Sequence, residues 1–260
     1  MQSKNQQENS TFAAESGHFY WPDGRPAYTV ENKSKPGTER NTTVKDAKKL
    51  GLLPSVTTIL KVADKPALNK WMRNQVLLSA LTLPRKEGEF EADWLVRVEH
   101  DWQEQGRAAA DKGTSIHGAI ERFYKADGSP IDSWLTPYVK YAMDELLLAC
   151  GNQQWKPERS FACETGYGGK IDLHSDEWII DVKTKDGDLA DVDVYDEHIT
   201  QLSAYRRGLN IPDARCGILF VRRDLPEAKF VEIASDDLER GLVMFNHLLG
   251  YWKAKNKVSA

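Results

Sequence analysis

The sequence predicts an α/β protein in which a central mixed β-sheet is flanked by helices, with a helical N-terminal part. Three observations carry the prediction. Apolar residues recur at helical spacing through about residue 149, the pattern changes at Gln154 to short β-type segments, and one helical segment interrupts the strands before a helix closes the chain. The order is therefore helices, strands, one helix, strands, helix. A chain of 260 residues, 40% of them hydrophobic, with 8 Trp, 9 Tyr and 8 Phe, has the apolar surface for a buried core, which excludes a disordered protein.

Residues 1–17 read as a flexible tail. Residues 18–30 place aromatic side chains on both sides of Pro22-Asp23-Gly24, a hairpin signal. Residues 31–50 are polar, contain Lys35-Pro36-Gly37, and read as loop. Ser55, after Pro54, is placed to cap a short helix carrying Val56, Ile59 and Leu60. A longer helix is expected over 66–81, with Pro66 in its first turn, and another over 89–109. Gly113 breaks that pattern, and Thr114 caps a further helix over 115–124 that ends near Asp127-Gly128. The next helix covers 131–149, with Trp134, Tyr138, Tyr141 and Leu148 at helical spacing and read as core. Strands follow at 155–165, 168–174 and 177–184, then an acidic loop and a helix over 196–208. Strands at 214–222 and 228–233 precede a last helix over 235–252, with Leu238, Leu242, Phe245 and Leu249 on one face. Three segments result: 1–50 as tail, hairpin and loop, 51–150 as the helical part, and 151–260 as the sheet-bearing core.

The formal net charge of −4 excludes a protein that is basic overall, but the charge is unevenly spread. Residues 33–73 hold ten basic and three acidic side chains, and residues 172–197 hold ten acidic and two basic. A basic segment beside an acidic one suits a polyanion handled by a cation-binding centre; two solvated surfaces are the plainer alternative. No apolar run approaches the roughly 20 residues of a membrane helix, and residues 1–10 are polar, without the apolar stretch of a signal peptide. A cytoplasmic protein with no membrane partner is expected. Cys150, Cys163 and Cys216 are odd in number and far apart, and supply no disulfide framework, CxxC zinc site or four-thiolate iron–sulfur site.

The most informative stretch is 168–185, GGKIDLHSDEWIIDVKTK. With Asp176-Glu177 as a two-residue hairpin turn, Asp172 falls opposite Asp181, at the roughly 4.5–5.5 Å Cβ separation of cross-strand partners. Lys183 shares the face of Asp181, whereas Ile171, Leu173, Ile180 and Val182 point the other way into a core. Two carboxylates this close repel, and one takes a proton unless a cation lies between them. Hard oxygen ligands suit magnesium or manganese, which lower the pKa of a bound water and stabilise charge on a phosphoryl oxygen. A neighbouring lysine positions or deprotonates the water and neutralises the transition state. The plainer alternative is an ordinary hairpin with one charged and one apolar face, and Asp-Glu is not a favoured turn pair. His117, with Glu121 one helical turn on, offers a ligand or supporting pair. Gln201 and Tyr205 share a helix face beside Arg206 and Arg207, and Glu158 and Glu164 lie on the preceding strand with either able to aim at the same centre.

Taken in order, His117, Gly169-x-x-Asp172, Asp181-Val182-Lys183-Thr184 and Gln201-x-x-x-Tyr205 resemble the RecB-like branch of the PD-(D/E)XK nucleases. The segment Leu53-Pro54-Ser55-Val56-Thr57, upstream of a helix containing Trp71, is similar to the mitochondrial genome maintenance exonucleases and their phage relatives, and the resemblance covers residues 50–210. It implies metal ligands at His117, Asp172, Asp181 and the Val182 carbonyl, a catalytic Lys183, supporting Gln201 and Tyr205, and a restriction-endonuclease-like mixed sheet. Ile171 stands where the name-giving proline would be. The cysteines that hold an iron–sulfur cluster in some relatives are absent, so no cluster is expected.

The function this implies is a Mg2+- or Mn2+-dependent DNA exonuclease acting on single strands or DNA ends, in replication, recombination or repair. Lys61, Lys65, Lys70 and Arg73 of the basic segment, with Arg206 and Arg207, are the candidate phosphate contacts. A structure-specific or restriction-type endonuclease on the same core is the rival enzyme. A catalytically inactive nucleic-acid-binding protein is the rival outside enzymes, against which intact Asp172, Asp181 and Lys183 argue. A small-ligand binder leaves the carboxylate–lysine face unexplained.

Overall fold

The Pro22-Asp23-Gly24 turn forms where the aromatic pattern places it: in the computed structural model, Gly24 N donates to Trp21 O at 2.9 Å and Trp21 N to Arg25 O at 2.8 Å. The structure describes residues 17–190 and 192–258, so all but the last residue of the tail expected over 1–17 lies outside the described residues. The arm before the turn is β1 (Phe19–Tyr20). Residues 31–50 differ from expectation, because they carry regular structure. Strands β2 (Thr29–Glu31) and β3 (Glu39–Asn41) pair antiparallel around Lys35-Pro36-Gly37, and helix α1 (Val44–Leu50) follows. The overlooked signal was a capping box, in which Thr43 and Asp46 satisfy one another's backbone amides at the start of α1. Strand β4 (Leu53–Pro54) pairs with β1. Ser55 then caps α2 (Val56–Leu60) by accepting the Thr58 amide, as its position after Pro54 predicts.

Helix α3 (Pro66–Thr82) starts at its proline, and α4 (Glu91–Lys125) runs unbroken for 35 residues. The expected break at Gly113 and new cap at Thr114 do not occur. Gly113 is a packing residue instead, since a Cβ there would lie 2.5 Å from Thr184 Oγ1 in the sheet. Gly113→Ala is therefore expected to lower the melting temperature, because overpacking of about 1–3 kcal/mol exceeds the roughly 1 kcal/mol alanine gains in a helix. Gly106→Ala in the same helix meets nothing within 4 Å and is expected to raise it. Thermal unfolding of the two variants checks this, and equal stabilities would mean that the helix–sheet contact is not felt.

Helix α5 (Thr136–Cys150) buries Tyr138, Val139, Ala142, Leu146 and Cys150. Trp134, Tyr141 and Leu148, read as core, are exposed. The buried stripe runs through Tyr138, Ala142 and Leu146, and Tyr141 and Leu148 fall on the outer face.

Five strands form one sheet in sequence order: β5 (Lys156–Cys163), β6 (Tyr167–His174), β7 (Trp178–Lys185), β8 (Arg215–Arg222) and β9 (Ala228–Ile233). All neighbours are antiparallel except β7 and β8, which are parallel and joined through α6 (Asp196–Gly208), as parallel strands require a crossover. Helix α7 (Ser235–Asn256) ends the fold. One face of this mixed sheet packs against α6 and α7 together with α1 and α2, and the other against α4 and α5. Residues from 51–150 and 151–260 therefore share a core, with Ile116 and Ile120 of α4 against Leu173, Trp178 and Ile180.

The β6–β7 register pairs Leu173 with Ile180 and His174 with Ile179, which puts Asp176-Glu177 at the turn. Ser175 makes that turn feasible without a favoured turn pair. Its amide donates to Trp178 O at 2.8 Å, and its hydroxyl accepts from the amides of Glu177 and Trp178. Leu173, Ile180 and Val182 share the α4–α5 core as expected, but Ile171 joins the opposite cluster, because the β6–β7 ladder ends at Leu173 and β6 turns away. Cys150, Cys163 and Cys216 are free thiols, all buried. Among the described residues no helix is long and apolar enough to cross a membrane.

Candidate active site

Where β6 leaves β7, the Asp172 side chain takes over from the ladder. Its Oδ2 accepts the Val182 amide at 2.8 Å, a side-chain substitute for the missing strand–strand bond. From α4, held against the sheet at Gly113, Ile116 and Ile120, His117 Nε2 reaches the same oxygen at 3.1 Å. Asp181 follows in register on β7 and is only 3% exposed. Its Oδ1 accepts from Gln201 Nε2 at 2.9 Å, and its Oδ2 lies 2.8 Å from Lys183 Nζ. Gln201 Oε1 accepts from the same ammonium at 3.3 Å, while Gln201 Nε2 also donates to Tyr205 OH at 2.9 Å. Gly169 leaves the space that the Tyr205 ring fills, since a Cβ there would sit 2.9 Å from Tyr205 Cε1. These side chains, with Val182, Lys170 and Thr184, line one cavity of about 490 Å³, within the range of ligand pockets.

Charge in the cavity is finely divided. Burial pushes the Asp181 carboxyl up, to about 6; Asp172 adds repulsion and Lys183 offsets only part of the rise. Burial also acts on Asp172, but the His117 imidazolium, Lys183 and the Val182 amide outweigh it and hold that carboxyl below its ordinary value. His117 is raised by its Asp172 partner against the opposing effect of burial. Burial disfavours the Lys183 ammonium, yet the two carboxylates prevail and raise its pKa, so it stays protonated at neutral pH. Burial keeps the Tyr205 phenol protonated as well.

The sequence-predicted residues divide into those the fold gathers and those it leaves elsewhere. His117, Asp172, Asp181, Val182, Lys183, Gln201 and Tyr205 come together in the cavity. Glu158 joins its edge. It has a left-handed φ of 57° within β5, where the β5–β6 ladder passes over it, and its carboxylate lies within 4.8 Å of ligand atoms of His117 and Asp172. Lys170 is its ion-pair partner. Glu121 pairs with Lys125 along α4 rather than with His117. Glu164 lies past the end of β5 and is largely exposed, 3.7 Å from Arg207. Arg206 is nearly covered and bound to Glu239 at 2.6 Å. Neither arginine nor any of Lys61, Lys65, Lys70 and Arg73 lines the cavity. Lys65 pairs with Glu197 at 2.5 Å, and Lys70 and Arg73 lie on the exposed surface of α3. His18, Tyr20, Tyr28, Ser55 and Thr57 also line the cavity, although sequence reasoning gave none of them a site role. Their sequence signals were the aromatic hairpin, the Pro54-Ser55 cap and the Leu53–Thr57 segment of the resemblance, each more than a hundred residues upstream of Asp172.

The donor set fits a hard divalent cation. Asp181 Oδ2 is buried and, despite the nearby ammonium, accepts no hydrogen bond of good geometry. His117, Asp172 and Glu158 offer ligand atoms within 4.8 Å of one another, the nitrogen and oxygen donors such an ion takes, and Asp181 lines the same cavity. The fold and site thus define a mixed α/β protein with a carboxylate pair, a protonated lysine and an imidazole converging in one cavity. No family model matches the chain, and no curated protein matches it. Among solved structures, the chain is similar to an alkaline exonuclease from Laribacter hongkongensis at 14% identity, covering 46% of this chain and 71% of that one with a TM-score of 0.26. It is also similar to a candidate exonuclease from Eubacterium rectale at 13% identity, covering 100% of this chain and 89% of that one with a TM-score of 0.36. The functional reading rests on the site itself.

Proposed function

We propose that this protein is a Mg2+- or Mn2+-dependent DNA nuclease of the PD-(D/E)XK type, close to its RecB-like branch, and an exonuclease on single strands or DNA ends. The observation that carries the reading is the convergence of Asp172, Asp181, Lys183 and His117 from three elements into one cavity. A divalent cation bound there would supply an acidified water and a counter-charge for the phosphoryl oxygens. Asp172, Asp181 and His117 would hold it, with Glu158 beside them. Lys183, fixed by Asp181 and Gln201, presents its ammonium to the developing negative charge. Against burial, the two carboxylates raise its pKa, which favours the ammonium form that orients and neutralises. Gln201 and Tyr205 position Asp181 and Lys183. Lys70 and Arg73 remain candidate phosphate contacts outside the cavity, and the protein is assigned to the cytoplasm, in DNA replication, recombination or repair.

The test is incubation with end-labelled linear and with circular single-stranded DNA in magnesium, manganese or EDTA. Linear DNA should be degraded with either metal and persist in EDTA, and circles should survive. Cleavage of circles at the linear rate would favour the endonuclease reading. Persistence of every substrate in both metals would leave only an inactive binding protein.

A further inference from the structure

The cavity has an aromatic wall that the proposed hydrolysis does not use. His18 and Tyr28 stack with ring centroids 4.3 Å apart and 28° between planes, and both line the cavity that holds Asp172, Asp181 and Lys183. Both rings are only partly covered. They are also held in place. Tyr20, fully buried, meets Tyr28 edge-on at 5.7 Å and shares a 2.8 Å hydroxyl–hydroxyl hydrogen bond with it. Tyr20 itself is clamped against β6, where a Cβ on Gly168 would lie 2.8 Å from it. The backbone is pinned as well, because His18 O accepts from Ser55 N at 2.9 Å and Tyr28 O from Thr42 N at 2.9 Å. The stack is partly covered and its backbone is pinned beside a charged centre, and a preorganised aromatic surface binds flat π-systems at little entropic cost.

We infer that the His18–Tyr28 stack is a nucleobase platform that receives an unpaired base of the strand whose phosphate lies at Asp172 and Asp181. This rests on the nuclease reading and adds to it the side chains that would hold the unpaired end, since a base inside a duplex has no free face to offer. Stacking accepts any base, so the platform selects strandedness and not sequence.

The experiment measures binding of short single-stranded oligonucleotides in EDTA, each with one abasic position at successive distances from an end. Carboxylate repulsion acts alike on all of them, so differences report the base. With the wild-type protein, one abasic position near the end should weaken binding about tenfold. With Tyr28→Ala, the intact oligonucleotide should bind about as weakly as that abasic one, and the abasic penalty should disappear. Tyr28→Phe keeps the ring and loses the Tyr20 hydrogen bond, so it should keep the penalty and guards against a folding defect in Tyr28→Ala. If the wild-type protein degrades linear DNA in magnesium but no abasic position matters, or Tyr28→Ala retains the full penalty, the platform is overturned and the nuclease stands. If the wild-type protein neither binds nor cleaves any strand, both fall.

Discussion

Asp172→Asn and Asp181→Asn should each lose roughly a thousandfold or more of cleavage in magnesium or manganese, yet shift the stability of the metal-free protein in opposite directions. The two carboxylates differ in what surrounds them. Asp181 is buried with a pKa raised to about 6, so its contribution to folding is favourable while it is protonated and is lost as pH rises through about 6. At pH 8 the folded state carries that buried charge. Asparagine removes it, keeps an oxygen for Gln201, and should raise the melting temperature. Loss of the Lys183 partner offsets part of the gain, leaving about 1–2 kcal/mol, or roughly 2–8 °C for a chain of this size.

Asp172 behaves the other way. Its pKa is lowered by His117, Lys183 and the Val182 amide, so its contribution is present above the ordinary carboxylate value and lost as pH falls. His117 is raised, so its share is present below the ordinary imidazole value and lost as pH rises through the raised one. The ion pair is therefore strongest between about pH 4 and 6.5, and there Asp172→Asn should cost about 1–3 kcal/mol. Thermal unfolding in EDTA at pH 5 and pH 8 checks both signs. A melting temperature lowered equally by the two substitutions at pH 8 would mean that Asp181 is stabilised as an anion, and that it is not held ready for a cation.

The part of this site that was legible in the sequence is the part built by local chain geometry. A period of two along a strand and a two-residue turn suffice to bring Asp172 and Asp181 to one cavity, although the β6–β7 ladder ends at Leu173 and the two are not register partners. A helical turn suffices to join Gln201 and Tyr205. Glu121 shows where local spacing fails. It shares a helix face with His117, but Lys125 is also one turn away and captures it. Gly113 was misread for the opposite reason. Its effect on the helix is local and unfavourable, whereas its benefit, room for Thr184, comes from a strand some seventy residues later in the chain. Tyr138 is buried as read, but Trp134, Tyr141 and Leu148 were misassigned because periodicity gives a stripe without saying which side of it meets the sheet. The His18–Tyr28 wall was invisible because nothing in residues 18–30 indicates that Tyr20 will pack on Gly168.

Lys183→Ala should separate chemistry from binding. The Lys183 ammonium lies 2.8 Å from Asp181 Oδ2 and 3.3 Å from Gln201 Oε1, and on the proposed reading it acts on the charge that develops on hydrolysis, not on ground-state DNA binding. Turnover should fall about a hundredfold to a thousandfold, as when one oriented donor is removed from a transition state, while single-strand affinity in EDTA changes little. A second effect runs against intuition. Without the ammonium, Asp172 and Asp181 lose the cation that now compensates them, so calorimetric affinity for Mn2+ should rise in the inactive variant. Lys183→Arg should keep the compensation but not the turnover, because a planar guanidinium cannot occupy the point between Asp181 and Gln201 that an ammonium fills. A lysine that merely braces the fold would behave differently. Its removal would lower stability, metal affinity and DNA binding together, and equal losses in DNA binding and turnover would instead make Lys183 a phosphate contact.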